Sequence, residues 1–112
     1  MTLGQTGVVK LQNAAVATGN GTEIELAGRS NLVVQVFGTF VATITWEATV
    51  DGATWAGVAL ADLASTTRAR ALTATVAGLF MLDKVGGLQR LRVRISAFTS
   101  GSVNAWGNAS DD

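Results

Sequence analysis

From Phe40 to Val50 the chain alternates without a break: Phe40, Ala42, Ile44, Trp46, Ala48 and Val50 on one side, Val41, Thr43, Thr45, Glu47 and Thr49 on the other. A period of two, carried by β-branched and aromatic residues, fits a strand with one buried face and does not fit a helix. Asp51-Gly52 follows and supplies the left-handed position of a hairpin turn, from which the chain returns through Thr54 and Trp55. The chain must therefore build a sheet with a core under it.

The same period recurs elsewhere. Glu23-Ile24-Glu25-Leu26 alternates with both glutamates outward; Leu32, Val34 and Val36 face inward with Val33, Gln35 and Phe37 on the other side. Trp55 to Leu60 reads as a further strand, and Leu72, Ala74 and Val76 resume the alternation. Arg90 to Phe98 is the second strong strand, with Leu91, Val93, Ile95 and Ala97 inside and Arg90, Arg92, Arg94 and Ser96 outside. A last strand runs through Val103 and Ala105. Ala61 to Arg70 fits either one helical turn or a crossover loop. Glycine turns separate these segments at Gly19-Asn20-Gly21, Gly28, Gly78 and Gly86-Gly87.

About eight short strands, spaced by about 8–12 residues, predict an all-β, antiparallel β-sandwich of jelly-roll or Greek-key type. A chain of 112 residues is one domain, able to bury roughly two-thirds of its unfolded surface. The expected organisation is an N-terminal arm or edge strand over residues 1–20 and a sandwich over 21–112. The weak apolar bursts Val8-Val9 and Ala14-Ala15-Val16 lie in the first of these.

Composition narrows the function. The chain has no His, Cys or Tyr, and its formal net charge is zero. Zinc would have only carboxylates to bind, and serine or threonine nucleophiles would lack their usual base. Neutrality gives no field to draw nucleic acid or an anionic membrane, and no apolar run reaches the ~20 residues of a membrane helix. No phosphate loop, dinucleotide fingerprint or calcium loop is present. The expectation is a protein that binds without catalysis and carries no cofactor, metal, nucleic acid or membrane.

Two features invite a binding role, and a third, the carboxylates, an acid/base pair for glycoside hydrolysis. The stripe Arg90, Arg92 and Arg94 needs compensation, either by Glu23, Glu25 and Glu47 on neighbouring strands or by an acidic partner surface. Trp46 is in phase with the core, whereas Trp106 shares the outward face with Asn104 and is a candidate contact. Of the carboxylates, Glu47 and Asp51 flank the hairpin, but Asp51 is explained by the turn and Glu47 lies among outward threonines.

The ordered set Gly38-Thr39-Phe40, Thr45-Trp46-Glu47-Ala48-Thr49-Val50-Asp51-Gly52-Ala53-Thr54-Trp55, Gly78-Leu79-Phe80 and Leu88, then Leu91-Arg92-Val93-Arg94-Ile95-Ser96-Ala97-Phe98-Thr99-Ser100-Gly101-Ser102-Val103 resembles small virion proteins of tailed bacteriophages. The likeness spans residues 30–106. It implies a β-sandwich module of the head-decoration (cement) kind, with no catalytic residues. On that footing the expected partners are the major capsid protein and further copies in a homotrimer. The expected place is the capsid surface of a virion assembled in the host cytoplasm. The contact residues would be Val8, Val9, Lys10 and Leu11 in an arm from Thr2 to Thr18, together with Arg90, Arg92, Arg94 and Trp106. A tail, baseplate or fibre-associated module is the alternative. A carbohydrate-binding module reading Trp55 or Trp106 is a third.

Overall fold

The computed structural model describes residues 7–83 and 85–111. Its strands, in chain order, are β1 (Val9–Ala15), β2 (Ile24–Glu25), β3 (Asn31–Phe37), β4 (Phe40–Thr49), β5 (Ala56–Gly57), β6 (Leu60–Asp62), β7 (Arg70–Ala71), β8 (Thr73–Ala74), β9 (Gly78–Asp83), β10 (Arg90–Gly101) and β11 (Val103–Ser110). They form a six-stranded sheet ordered β1-β11-β3-β9-β6-β7 and a five-stranded sheet in which β2-β10-β4-β5 run side by side and β8 also pairs with β4.

The pairings are nested. β1 pairs with β11, β2 with β10, β3 with β9 and β4 with β8, all antiparallel. Two further pairings, β11 with β3 and β10 with β4, roll this long folded ribbon into a sandwich. That is the jelly roll. Eight strands make the roll, and β5, β6 and β7 are an addition at its innermost turn, which accounts for eleven strands where about eight were expected.

Alternation in β3, β4, β10 and β11 places Leu32, Val34, Val36, Ile44, Trp46, Leu91, Val93, Ile95, Val103 and Ala105 between the sheets, all buried. Trp46 is wholly enclosed and packs on Phe80, ring centroids 5.0 Å apart. Three segments depart from the expected pattern. Val50 lies beyond the end of β4 and is 72% exposed, while Thr49 turns inward because its hydroxyl is held by Asp51. Of Leu72, Ala74 and Val76 only Ala74 is buried, since β8 touches β4 over two residues. The expected Trp55–Leu60 strand divides, β5 joining one sheet and β6 the other. Residues 61–70 form neither a helix nor a crossover: β6 turns back through 63–69 and pairs with β7.

The first strand is integral to the fold. β1 closes one edge of the six-stranded sheet, Leu11 is 0% exposed in the core, and Gln12 donates from Nε2 to the Val93 carbonyl of the opposite sheet at 2.7 Å. Residues 9–15 are thus not a free arm; the stretch proposed ahead of them, residues 2–6, lies outside the described residues.

Two sheet-switching corners meet at one end. β3 passes to β4 through Gly38 (φ 119°), and β10 passes to β11 through Gly101 (φ 88°). Ser102 N–H donates to the Thr39 carbonyl at 2.9 Å. A Cβ on Gly101 would overlap that same carbonyl, and one on Gly38 would sit 2.6 Å from the Ser102 oxygen. The Gly-Thr-Phe and Ser-Gly-Ser-Val segments, far apart in sequence, therefore form a single reciprocal joint.

At the other end, the last β4–β5 pair is Ala48 with Ala56, so residues 49–55 close a wider hairpin than a two-residue turn. Asp51 organises it. Its Oδ1 accepts from the backbone N–H of Ala53 and Thr54 (both 2.8 Å) and from the Thr49 hydroxyl (2.9 Å). These bonds, the two backbone donors foremost, hold the carboxyl well below its ordinary value of 3.8. Beneath that ordinary value the unfolded chain takes up a proton that the native one refuses, so the contribution is complete above it and erodes as pH falls. Urea midpoints measured between roughly pH 2 and pH 6 should therefore decline on the acid side. Asp51→Asn, which keeps an acceptor for the backbone donors but cannot titrate, should flatten that decline; an unchanged acid profile would exclude the role.

Candidate interaction faces

Each sheet turns an outward face to solvent, and the candidate residues divide between them. On the five-stranded sheet, register sets Arg92 opposite Glu47 and Arg90 opposite both Thr49 and Glu25. Arg90 reaches Glu23 and Glu25, each at 3.0 Å; Arg92 Nε lies 2.8 Å from Glu47 Oε1; Arg94 lies 3.4 Å from Glu47 Oε2. Glu23, and then Glu25, strengthen the hold of Arg90 on its proton. The Arg92 guanidinium also stacks over Trp55, 4.2 Å from the ring centroid. Of the two compensations open to the stripe, pairing within the sheet is the one found. Three arginines facing three glutamates leave little net charge to attract an acidic partner.

The outward face of the six-stranded sheet is different. Lys10, Trp106, Gln35 and Leu79 lie in one row across β1, β11, β3 and β9. Asn108, Val33 and Met81 form the next row, and Asn104 stands opposite Phe37. Phe37 meets the Trp106 ring edge-on (5.1 Å between centroids, 82°), and Lys10 Nζ sits 5.1 Å above it. Asn104 Oδ1 accepts from Ala14 N–H at 2.9 Å, which fixes β1 where Ala14 takes a positive φ of 51°. Two clefts open here. One of about 230 Å³ is lined by Val8, Val33, Gln35, Leu79, Trp106 and Asn108, with Gly107 beneath. The other, about 520 Å³, runs from Gln35, Phe37 and Leu79 toward Leu63 and Ala64.

The structure brings Val8, Lys10 and Trp106 together and separates them from the arginines, which lie on the opposite sheet. Leu11 is core and drops out of the contact set; Val9 is half-buried against that core. Gln35, Leu79 and Asn108 were missed. The alternation places Gln35 outward, but Leu79 sits in an apolar run with no period to orient it, and Asn108 lies past the last strand expected through Val103 and Ala105.

Glu47 is committed to two arginines and Asp51 to its turn. Among the described residues no cluster of three carboxylates could hold a metal, and no helix is long and apolar enough to cross a membrane.

No protein-family model matches the chain, and no curated protein matches it in sequence. Two solved structures do match in shape. The SPBc2 prophage-derived protein YomS superposes with a TM-score of 0.84 at 16% identity, over 97% of this chain and 96% of that one. The PBSX exported protein XepA gives 0.85 at 15% identity, over 97% of this chain but 39% of XepA. The likeness is one of fold. It spans 97% of this chain in each case, so the jelly roll is shared as a whole.

Proposed function

We propose that this is a phage virion protein that acts by binding, and specifically a decoration (cement) protein of the head. The observation that carries the reading is the fold shared along almost the whole chain with a prophage-derived protein. The sequence resemblance to small virion proteins of tailed bacteriophages and the lack of His, Cys and Tyr support it. In this reading the partners are the major capsid protein and copies of the chain itself in a homotrimer, at the capsid surface of a particle assembled in the host cytoplasm. The face centred on Trp106 makes the contacts, because its aromatic and apolar side chains are half-exposed and its charge is low. The neutralised arginine stripe is left to solvent. Many weak contacts repeated by symmetry then reinforce the shell.

A tail- or fibre-associated module is the second reading, supported by the occurrence of the same fold within a longer exported phage chain. Mixing purified protein with expanded heads that lack it separates the two. Co-sedimentation and a gain in heat resistance are expected; no binding to heads, with label found on tails alone, would overturn the decoration reading.

A further inference from the structure

We infer that Asn20, in the link between β1 and β2, is a self-modification site: its amide is lost to attack by the Gly21 nitrogen, and the isoaspartyl product loosens β1. The reaction needs an unheld asparagine amide, a free N–H on the next residue and a backbone that can turn between them. Residue 21 is glycine, with no Cβ to obstruct the approach. Asn20 and Gly21 are both exposed and belong to no strand. Among the described residues, neither the Asn20 amide nor the Gly21 N–H has a hydrogen-bond partner. The other asparagines do not meet these conditions. Asn13, Asn31, Asn104 and Asn108 all lie in strands, and each is followed by a residue with a side chain.

The step needs only water and hydroxide. Hydroxide takes the Gly21 N–H proton and the nitrogen bonds to Asn20 Cγ. The Cγ–Nδ2 bond breaks, and the amide nitrogen leaves as ammonia with a proton from water. Water then opens the cyclic imide. Opening at the side-chain carbonyl leaves aspartate; opening at the main-chain carbonyl leaves isoaspartate, with the chain running through Cβ and Cγ. Asp51-Gly52 is the contrast. There Oδ1 accepts three bonds and the Gly52 N–H donates to Thr49 Oγ1 at 3.0 Å, so both reacting groups are tied down.

The consequence is set by how the link is anchored. Gly19 exchanges two backbone bonds with Ile95 of β10 (3.1 and 2.8 Å), and Gln12 Nε2 donates to its carbonyl at 3.3 Å. Thr22 N–H donates to the Leu11 carbonyl of β1 at 2.9 Å. Residues 19 and 22 are thus pinned to opposite sheets, with only Asn20 and Gly21 between them. Gly21 lies so close to β1 that a Cβ would overlap the Leu11 carbonyl. An isoaspartyl link adds a carbon to this short span, and one anchor must release. The aspartyl product keeps the backbone and changes only the charge.

The test holds the full chain in mildly alkaline buffer, folded and in urea, and follows it by peptide mapping and by an isoaspartate-specific methyltransferase. An Asp51→Asn chain runs beside it, because it carries the same dipeptide chemistry at 51–52 in a held setting. In the folded state residues 20–21 should react at least about tenfold faster than 51–52, the retardation of one hydrogen bond that must first break. In urea the two should react alike. Equal rates in the folded state overturn the inference. So does a folded-state rate at 20–21 suppressed about tenfold below that in urea, a comparison that decides alone if Asp51→Asn does not fold. In the purified isoaspartyl fraction, hydrogen exchange at Gly19, Thr22 or Ile95 should quicken by about tenfold. Asn20→Asp should exchange like the wild type. Unchanged exchange in the isoaspartyl fraction would overturn the loosening of β1.

Discussion

Gly101→Ala should leave the protein close to unfolding at temperatures the wild type tolerates. The substitution meets two separate penalties. At φ 88° a Cβ is disfavoured by about 1–2 kcal/mol whatever surrounds it. The methyl group would also overlap the Thr39 carbonyl and stand 2.7 Å from Phe40 Cα. Both atoms belong to backbone, so no rotamer change relieves them, and overpacking of this kind costs about 1–3 kcal/mol. The sum, roughly 3–5 kcal/mol, is a large part of the 5–15 kcal/mol that keeps a typical domain folded. Urea unfolding followed by tryptophan fluorescence measures it. Gly86→Ala is the control: nothing lies within 4 Å of its Cβ position, and a change within about 0.5 kcal/mol is expected. Equal effects at the two glycines would refute the joint.

Trp46→Ala should cost a similar amount by the opposite route. The indole is 0% exposed and rests on Phe80 between the sheets. Its removal forfeits transfer energy and opens a void that strands pinned by two ladders cannot collapse to fill, about 3–5 kcal/mol. For a domain of this size the melting temperature should fall on the order of 15 °C or more. Trp55→Ala provides the contrast, since that ring lies outside the core and covers Arg92; its shift should be a small fraction of the first. Comparable shifts would mean that Trp46 is not the centre of the core.

What the sequence made legible follows from what the period of two encodes. β3, β4 and β10 are long enough for alternation to fix which side faces inward, so their core residues could be read directly. β2, β5, β7 and β8 are two residues each; the pattern marks the segments that hold β2, β5 and β8 but overstates the length of their pairing, and β7, which exists because β6 pairs with it, has no local pattern to announce it. Thr49 and Val50 exchange their expected places because a hydroxyl–carboxylate bond, not hydrophobicity, ends β4. Leu11 was misjudged for a related reason. Its burial depends on β11, at the far end of the chain, and a local apolar burst cannot distinguish a strand held by the sheet from an arm held by a partner. The arginine stripe was half legible: the glutamates that answer it were named, but only the register of β10 against β4 and β2 decides between them and an outside surface. Trp106 was placed outward by its phase, whereas the cleft beside it depends on rows of three and four strands that no single segment contains.

The nested pairing also favours one order of assembly. Closing a loop costs entropy that grows with its length, so joining β1 to β11 first would be the most expensive start available. Once β4 has found β8, however, β3 and β9 are already near each other, and each outer pair inherits a short gap from the pair inside it. The innermost closure must span β5, β6 and β7. On loop-closure grounds the roll is expected to close from its middle outward, with β1 and β11 sealing last.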